Sequence, residues 1–307
     1  MKKKIIVSVL LLSWLMISAI LISVYASDNV YYITQHGAKL TKTQYENLTK
    51  IYTEDDLDCL PIPYIDSIKD DSTLRTVSTD EVYIVTKTHY DENNTPIEII
   101  NEEVSKAEAE RVAAVEKKAA EAPKTRARGD SDVWQTTSKK LTLNLNLNSS
   151  EIKHFSLACK WLVMPKVRSY DVLALRTSHE FLSTFINFSA SQNYNNSTIN
   201  YSASGNNAKS NSFLGTATGF GISMNIVDTA SLSSLSCSMG GQLDSKARPF
   251  TMYGTYQHAT SKVTLSQSKD YSFGAGGLGN VLKFDSSVKG KYDGMQGVSA
   301  TVDDWPE

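Results

Sequence analysis

Beyond residue 132, apolar side chains recur at every second position, the spacing expected of strands with one buried face. Leu141, Leu143, Leu145 and Leu147 alternate with Thr142, Asn144, Asn146 and Asn148. Phe220, Ile222, Met224 and Ile226 alternate with Gly221, Ser223 and Asn225. Leu235, Cys237 and Met239 oppose Ser234, Ser236 and Ser238, and Phe250, Met252 and Tyr256 oppose Thr251, Tyr253 and Thr255. Between Phe155 and Arg176 the pattern predicts two antiparallel strands joined at Pro165 to Ser169. Phe155, Leu157, Cys159, Trp161 and Val163 share one face of the first. The second, Asp171 to Leu175, reads as apolar on both faces, which places it centrally in a sheet. Many short alternating strands bounded by Gly, Asn, Asp or Ser, with no helical pattern between them, predict an all-β antiparallel sandwich over residues 132–307.

The pattern changes in the first third of the chain. Val30 to Ile33 reads as a short strand, His36-Gly37 as a turn and Ala38 to Leu40 as the return. Thr41 followed by Gln44 is a capping box, and Tyr45, Leu48, Ile51 and Tyr52 then recur at helical spacing. Thr53 with Asp56 predicts a second short helix, closed by Pro61-Ile62-Pro63. Val82 to Val85 and Ile97 to Ile100 predict a hairpin around Asp91 to Asn94. Residues 27–100 are therefore expected to form a small α+β unit, making the fold class α+β overall.

From residue 101 to 131 the composition turns to Glu, Lys and Ala, with Val104, Val112 and Val115 as a thin apolar stripe. This predicts a charged, solvated helical spacer ending in the basic loop Lys124 to Gly129.

At the N-terminus, Lys2 to Lys4 precede an apolar run from Ile5 to Val24 and a small-x-small pattern ending at Ala26. Residues 1–26 are read as a secretory signal, the alternative being an uncleaved segment that anchors the protein to the membrane. Formal net charge is -2 over 307 residues, so no charge field points to nucleic acid. The expected setting is secreted and extracellular, with a partner outside the cell or in its envelope and no nucleic acid.

Two stretches resemble uncharacterised secreted proteins of Gram-positive bacteria. Tyr31-Tyr32-Ile33-Thr34, Gly37 to Thr41 and Gln44 to Leu48 are similar to their opening. Trp161, Met164-Pro165 and Arg168 to Val172 are similar to a motif in the C-terminal part of such proteins. The resemblance covers about a quarter of the chain and implies secretion, without an activity or catalytic residues to carry over.

The chain contains no Gly-x-Ser-x-Gly elbow, Walker loop, His-Glu-x-x-His helix or EF-hand loop. His36, His89, His154, His179 and His258 are scattered singly, and adjacent His179-Glu180 would point to opposite faces of a strand. No catalytic, cofactor-binding or metal-ligating residue is assigned. Cys159 and Cys237 are candidates either for a disulfide linking two inner faces beside Trp161 or for two separate buried thiols. Arg168, Asp171 and Arg176 are candidates for a polar cluster at the rim of the central strand. Phe273 to Gly279 is read as a turn or bulge leading into a strand at Val281 to Phe284. The expected function is a non-enzymatic binding or structural protein of the cell surface. The alternative is a membrane-active, pore-forming-like β protein using the amphipathic hairpin at Leu182 to Ala203, whose segments approach the ~9–11 residues of a spanning strand.

Overall fold

Two antiparallel sheets organise the fold, and among the described residues 48% are in strands against 19% in helices, so the fold is largely β. The structure, a computed structural model, describes residues 30–121, 133–150, 152–180, 185–203, 212–243, 249–274 and 277–303. The expected leader at 1–26 and the basic loop at 124–129 lie outside the described residues. Among the described residues no helix is long and apolar enough to cross a membrane.

In chain order the strands are β1 (Tyr32–Ile33), β2 (Lys39–Leu40), β3 (Arg75–Tyr90), β4 (Pro96–Val104), β5 (Val133–Leu147), β6 (Lys153–Val163), β7 (Tyr170–Thr177) and β8 (Phe185–Tyr194). They continue as β9 (Ser197–Ala203), β10 (Phe213–Gly215), β11 (Gly219–Asn225), β12 (Leu235–Leu243), β13 (Phe250–Gln257), β14 (Tyr271–Phe273), β15 (Leu282–Phe284) and β16 (Val298–Val302). The helices are α1 (Lys42–Leu48), α2 (Glu54–Leu57), α3 (Ile62–Ile68), α4 (Lys106–Glu121), α5 (Leu265–Ser268) and α6 (Ser286–Lys289). One sheet runs β4-β3-β5-β6-β12-β8-β9, the other β10-β11-β7-β13-β16.

The leucine alternation lands where periodicity puts it. Leu141, Leu143, Leu145 and Leu147 join Phe155, Leu157, Met239 and Phe188 from the larger sheet and Leu173, Leu175, Phe220, Ile222, Met252 and Val298 from the smaller, in one continuous core. Strand β7 is central in its sheet, as its sequence predicts. The hairpin expected between 155–163 and 171–175 does not form. Strand β6 pairs with β5 and β12, whereas β7 pairs with β11 and β13, so the chain crosses from one sheet to the other at Pro165 to Ser169. Local alternation marks both segments as strands but carries no information about which partner each will find.

The capping box at Thr41 and Gln44 opens α1, and the Thr53 side chain caps α2. The prolines at 61 and 63 do more than stop a helix. Pro61 is the N-cap of α3 and Pro63 sits in its first turn, where a missing N–H costs nothing. These helices enclose a second core of Leu40, Leu48, Leu57, Leu60, Tyr64 and Ile65.

The sheet continues past the boundary expected near residue 100. The β3–β4 hairpin is long, and β3 pairs with β5 from Arg75↔Leu147 to Tyr90↔Val133, which stitches residues 75–104 into the larger sheet. Helix α4 likewise does not stand free as a spacer. It contacts β3, β5 and β6, burying Ala109 with Val112, Ala113 and Glu116 half-buried beside it, because a stripe of small side chains lets a helix lie close to a sheet.

Strands β8 and β9 form a hairpin across Asn195 and Asn196, both at positive φ, the backbone a two-residue hairpin turn requires. Its described part begins at 185, and Phe188 and Ala190 already belong to the shared core. Of the Gly-rich stretch, residues 275 and 276 lie outside the described residues; a 3₁₀ turn at Leu278–Asn280 then precedes β15.

Candidate functional site

Two polar assemblies converge in this frame. The first lies inside the core. Asp171, fully buried on β7, accepts hydrogen bonds from the Tyr256 hydroxyl and from the Ala259 N–H at 2.9 Å, and lies 2.9 Å from His258 Nδ1. Trp161 Nε1 donates to the Tyr256 hydroxyl at 3.2 Å and packs edge-on against His258. Beside them Lys139 pairs with Asp293, both side chains wholly buried, with the Lys139 ammonium 5.0 Å from the centre of the Trp161 ring. Asp293 also accepts the His258 N–H at 3.1 Å. Every polar partner here is another member of the core, so the arrangement fixes the two sheets against each other.

The rim cluster expected from Arg168, Asp171 and Arg176 is not assembled. Positions 171 and 176 fall on opposite faces of β7, and Asp171 turns inward to Tyr256 and His258. Arg168 donates to the carbonyls of Pro165 and Thr229, while the Arg176 guanidinium lies 4.6 Å from the centre of the Tyr253 ring. Cys159 and Cys237 are direct cross-strand neighbours on β6 and β12 of the same sheet, so they cannot tie one sheet's inner face to the other's. All three cysteines are free and buried, and burial pushes each thiol above its ordinary value. His179 and Glu180 lie exposed past the end of β7, with His179 Nδ1 2.8 Å from the Ser178 hydroxyl. Among the described residues no three His, Cys, Asp or Glu side chains converge as a metal site.

The second assembly lies on the opposite face of the larger sheet. Thr142, Asn144, Asn146, Ser156, Ser191 and Ser238 alternate with the core residues and would face water in a bare sheet. Here they are buried under α1–α3. Asn146 Nδ2 donates to the Tyr52 hydroxyl at 2.8 Å, and Lys140 bonds Asp56 at 2.9 Å and Glu81 at 2.7 Å. Ser238 and Asn193 both donate to the Cys59 carbonyl, and Lys160 pairs with Asp55.

Where this seam opens, a pocket of about 300 Å³ remains between the His36 turn and the ends of β6, β8 and β12. Its polar wall includes His36, Lys160, Asn193 and Ser236, and its apolar wall Met164 and Tyr194. Asn193 is 3% exposed; its amide N–H groups are committed to the Cys59 carbonyl and the Ser191 hydroxyl, while Oδ1 has no partner. Both ring nitrogens of His36 are buried and unpartnered as well. Buried acceptors and donors left in this state each cost about 1–3 kcal/mol. The sequence places His36 in a turn and Asn193 within the hairpin expected at 182–203; no local signal joins them, since both line one pocket only once the N-terminal unit docks across the sheet.

The buried imidazoles also set a pH response. Burial lowers His36 and His154 to about 4 from an ordinary value of 6.5. Between those pH values the unfolded chain takes up protons that the folded chain refuses, so this contribution is intact above pH 6.5 and is lost as pH falls toward 4. The urea midpoint is expected to drop between pH 7 and pH 4.5, and to drop less in His154→Gln. Equal pH sensitivity in that variant would contradict the assignment.

Comparison of the chain with protein-family models, with curated proteins and with solved structures returned no match.

Proposed function

We propose that this chain is a secreted or cell-surface protein that binds a ligand without transforming it, and that the ligand enters the pocket beneath His36. In this reading the fold is a β-sandwich whose larger sheet carries the N-terminal helical unit on its outer face. Export rests on the leader-like residues 1–26. The observation that carries the binding site is one concave space of about 300 Å³ whose walls bring His36, Lys160, Asn193 and Tyr194 together from the N-terminal turn and the ends of the larger sheet. Binding is favoured over catalysis because the ionisable groups that do converge, Asp171, His258, Lys139 and Asp293, are sealed in the core, while Lys160 at the pocket is balanced by Asp55. The membrane-active alternative would have to strip Phe188 and Ala190 of the β8–β9 hairpin out of that core.

Saturation-transfer NMR of the full chain with a library of small neutral and charged polar fragments tests this. The expected result is a set of binders whose signal vanishes in Gln35→Trp, an exposed rim position where the indole would fill the entrance while the backbone bond of Gln35 N–H to Asp58 is kept. A library with no binder sensitive to that substitution overturns the assignment.

A further inference from the structure

We infer that β4, the outermost strand of the larger sheet, takes up an extended basic peptide segment of a partner protein as an added antiparallel strand. Strands β3 and β5 separate this edge from β6 and the seam pocket, so the two sites stand or fall independently.

The edge is open. Among the described residues Pro96–Val104 has β3 as its one neighbour. In an antiparallel pair alternate residues turn their N–H and C=O groups away from the neighbour. Among the described residues no backbone bond occupies those groups of β4. Ile97, Glu98, Ile100, Asn101, Glu102 and Glu103 are all exposed, so the described fold leaves the strand uncovered. Nine residues is a long edge, which proteins ordinarily shorten, bend or cover. Asn101 anchors its middle, accepting from the Thr86 hydroxyl and donating to the Asp293 carbonyl.

Charge decides the occupant. Successive side chains alternate between faces, so Glu98, Ile100 and Glu102 share one face and Ile99, Asn101 and Glu103 the other. The strand holds these carboxylates and no cation. Lys87 of β3 reaches Glu102 at 3.7 Å, while Glu98 and Glu103 form no ion pair among the described residues. A second copy is therefore the wrong partner. In the register that pairs the whole strand with itself, Ile100 opposes Ile100 and Glu98 meets Glu102 twice, and like charges directly opposed destabilise a sheet. A basic segment reverses the sign at each acidic position, and the repulsion that turns away copies and acidic strands sharpens the choice. Ile97 and Ile100, 58% and 37% exposed, offer apolar surface for side chains of the incoming strand to cover. Main-chain bonds then supply the binding, and the side chains select the sequence.

The probe is the peptide Lys-Lys-Thr-Val-Thr-Lys-Val. Added antiparallel, its lysines fall opposite Glu103, Glu102 and Glu98 and its central valine opposite Ile100. A counterpart carries Glu at each Lys. Binding to the full chain is read by fluorescence anisotropy, and its location by hydrogen exchange. The basic peptide is expected to bind at least about 10-fold more tightly than the acidic one at low salt, with the margin narrowing as salt rises. Amides of residues 97–103 should exchange more slowly in the complex. Only alternate peptide amides can face β4, so N-methylating one alternate set should abolish binding and methylating the other should leave it intact. The double variant Glu98→Lys, Glu103→Lys, altered at exposed positions, should melt as the parent does and prefer the acidic peptide. If neither peptide binds, if both methylated sets bind like the parent peptide, or if protection falls outside 97–103, the assignment is wrong. Self-association of the full chain through 97–103 would overturn it too, because the occupant would then be a second copy.

Discussion

Lys139→Met is expected to destabilise the protein by about 3–5 kcal/mol, the range for removing one partner of a fully buried ion pair and leaving the other charge without compensation. Lys139 and Asp293 are both enclosed in the core, and Asp293 has little other support: the His258 N–H on one carboxylate oxygen, and the Asn101 side chain only on its backbone carbonyl. The hydrophobic gain from methionine does not offset this, since the lysine stem is already packed beside Trp161 and Tyr256. Replacing both partners should recover most of the loss, because desolvating two charges costs roughly what their attraction returns. Urea unfolding of Lys139→Met, Asp293→Leu and the double variant closes a thermodynamic cycle. A single substitution costing under about 1 kcal/mol, or a double variant no better than the worse single, would show that the pair does not hold the core.

That pair also shows where sequence legibility ends. Lys139 stands two positions before Leu141 in a strand whose inward face is otherwise leucine, so alternation alone pointed it at the core, yet a lysine there is ordinarily assigned to the strand's exposed end. Its burial becomes sensible only with Asp293, which is 154 positions away. The same limit applies to Asp171 with Tyr256 and His258. The strands themselves were legible, and so were the cap of α1 and the hairpin at 82–100, because each is decided by neighbours within a few residues.

Pairing was not legible, and for a related reason. The polar positions Thr142, Asn144 and Asn146 carry the same signal whether they face water or a second polar surface. Alternation reports that one face is apolar; it is silent on what covers the other. In this protein the cover is the N-terminal helical unit, joined through Tyr52, Asp56 and Cys59, and the seam pocket exists because that cover stops short of the ends of β6, β8 and β12. The outer face of the smaller sheet is covered too: Val172 and Ala174 pack with Ala259, Val263, Tyr271 and Tyr292.

The seam itself can be tested with a single carbon. By propensity alone, Gly240→Ala in the interior of β12 should stabilise by about 0.5–1 kcal/mol, because glycine loses more freedom than alanine when a strand orders. Contact reverses the sign. A Cβ at 240 would stand 2.5 Å from Tyr64 Cγ and within 2.8 Å of both adjacent ring carbons, and the ring cannot swing aside. Tyr64 is 2% exposed, and its hydroxyl lies 2.9 Å from that of Tyr52, which in turn takes the Asn146 amide proton. The added carbon must therefore lift α3 from the sheet, at the ~1–3 kcal/mol typical of overpacking, with a fall in melting temperature of about 2–4 °C for each kcal/mol in a chain of this size. Hydrogen exchange should show where the loss falls: amides of 42–68 exchange faster while those of Leu141 to Leu147 keep their protection. Tyr64→Leu in the same chain should relieve part of the cost, a non-additive pair being the mark of direct contact. A Gly240→Ala protein as stable as the parent, or one whose exchange quickens evenly through both sheets, would show that the helical unit is not seated on β12.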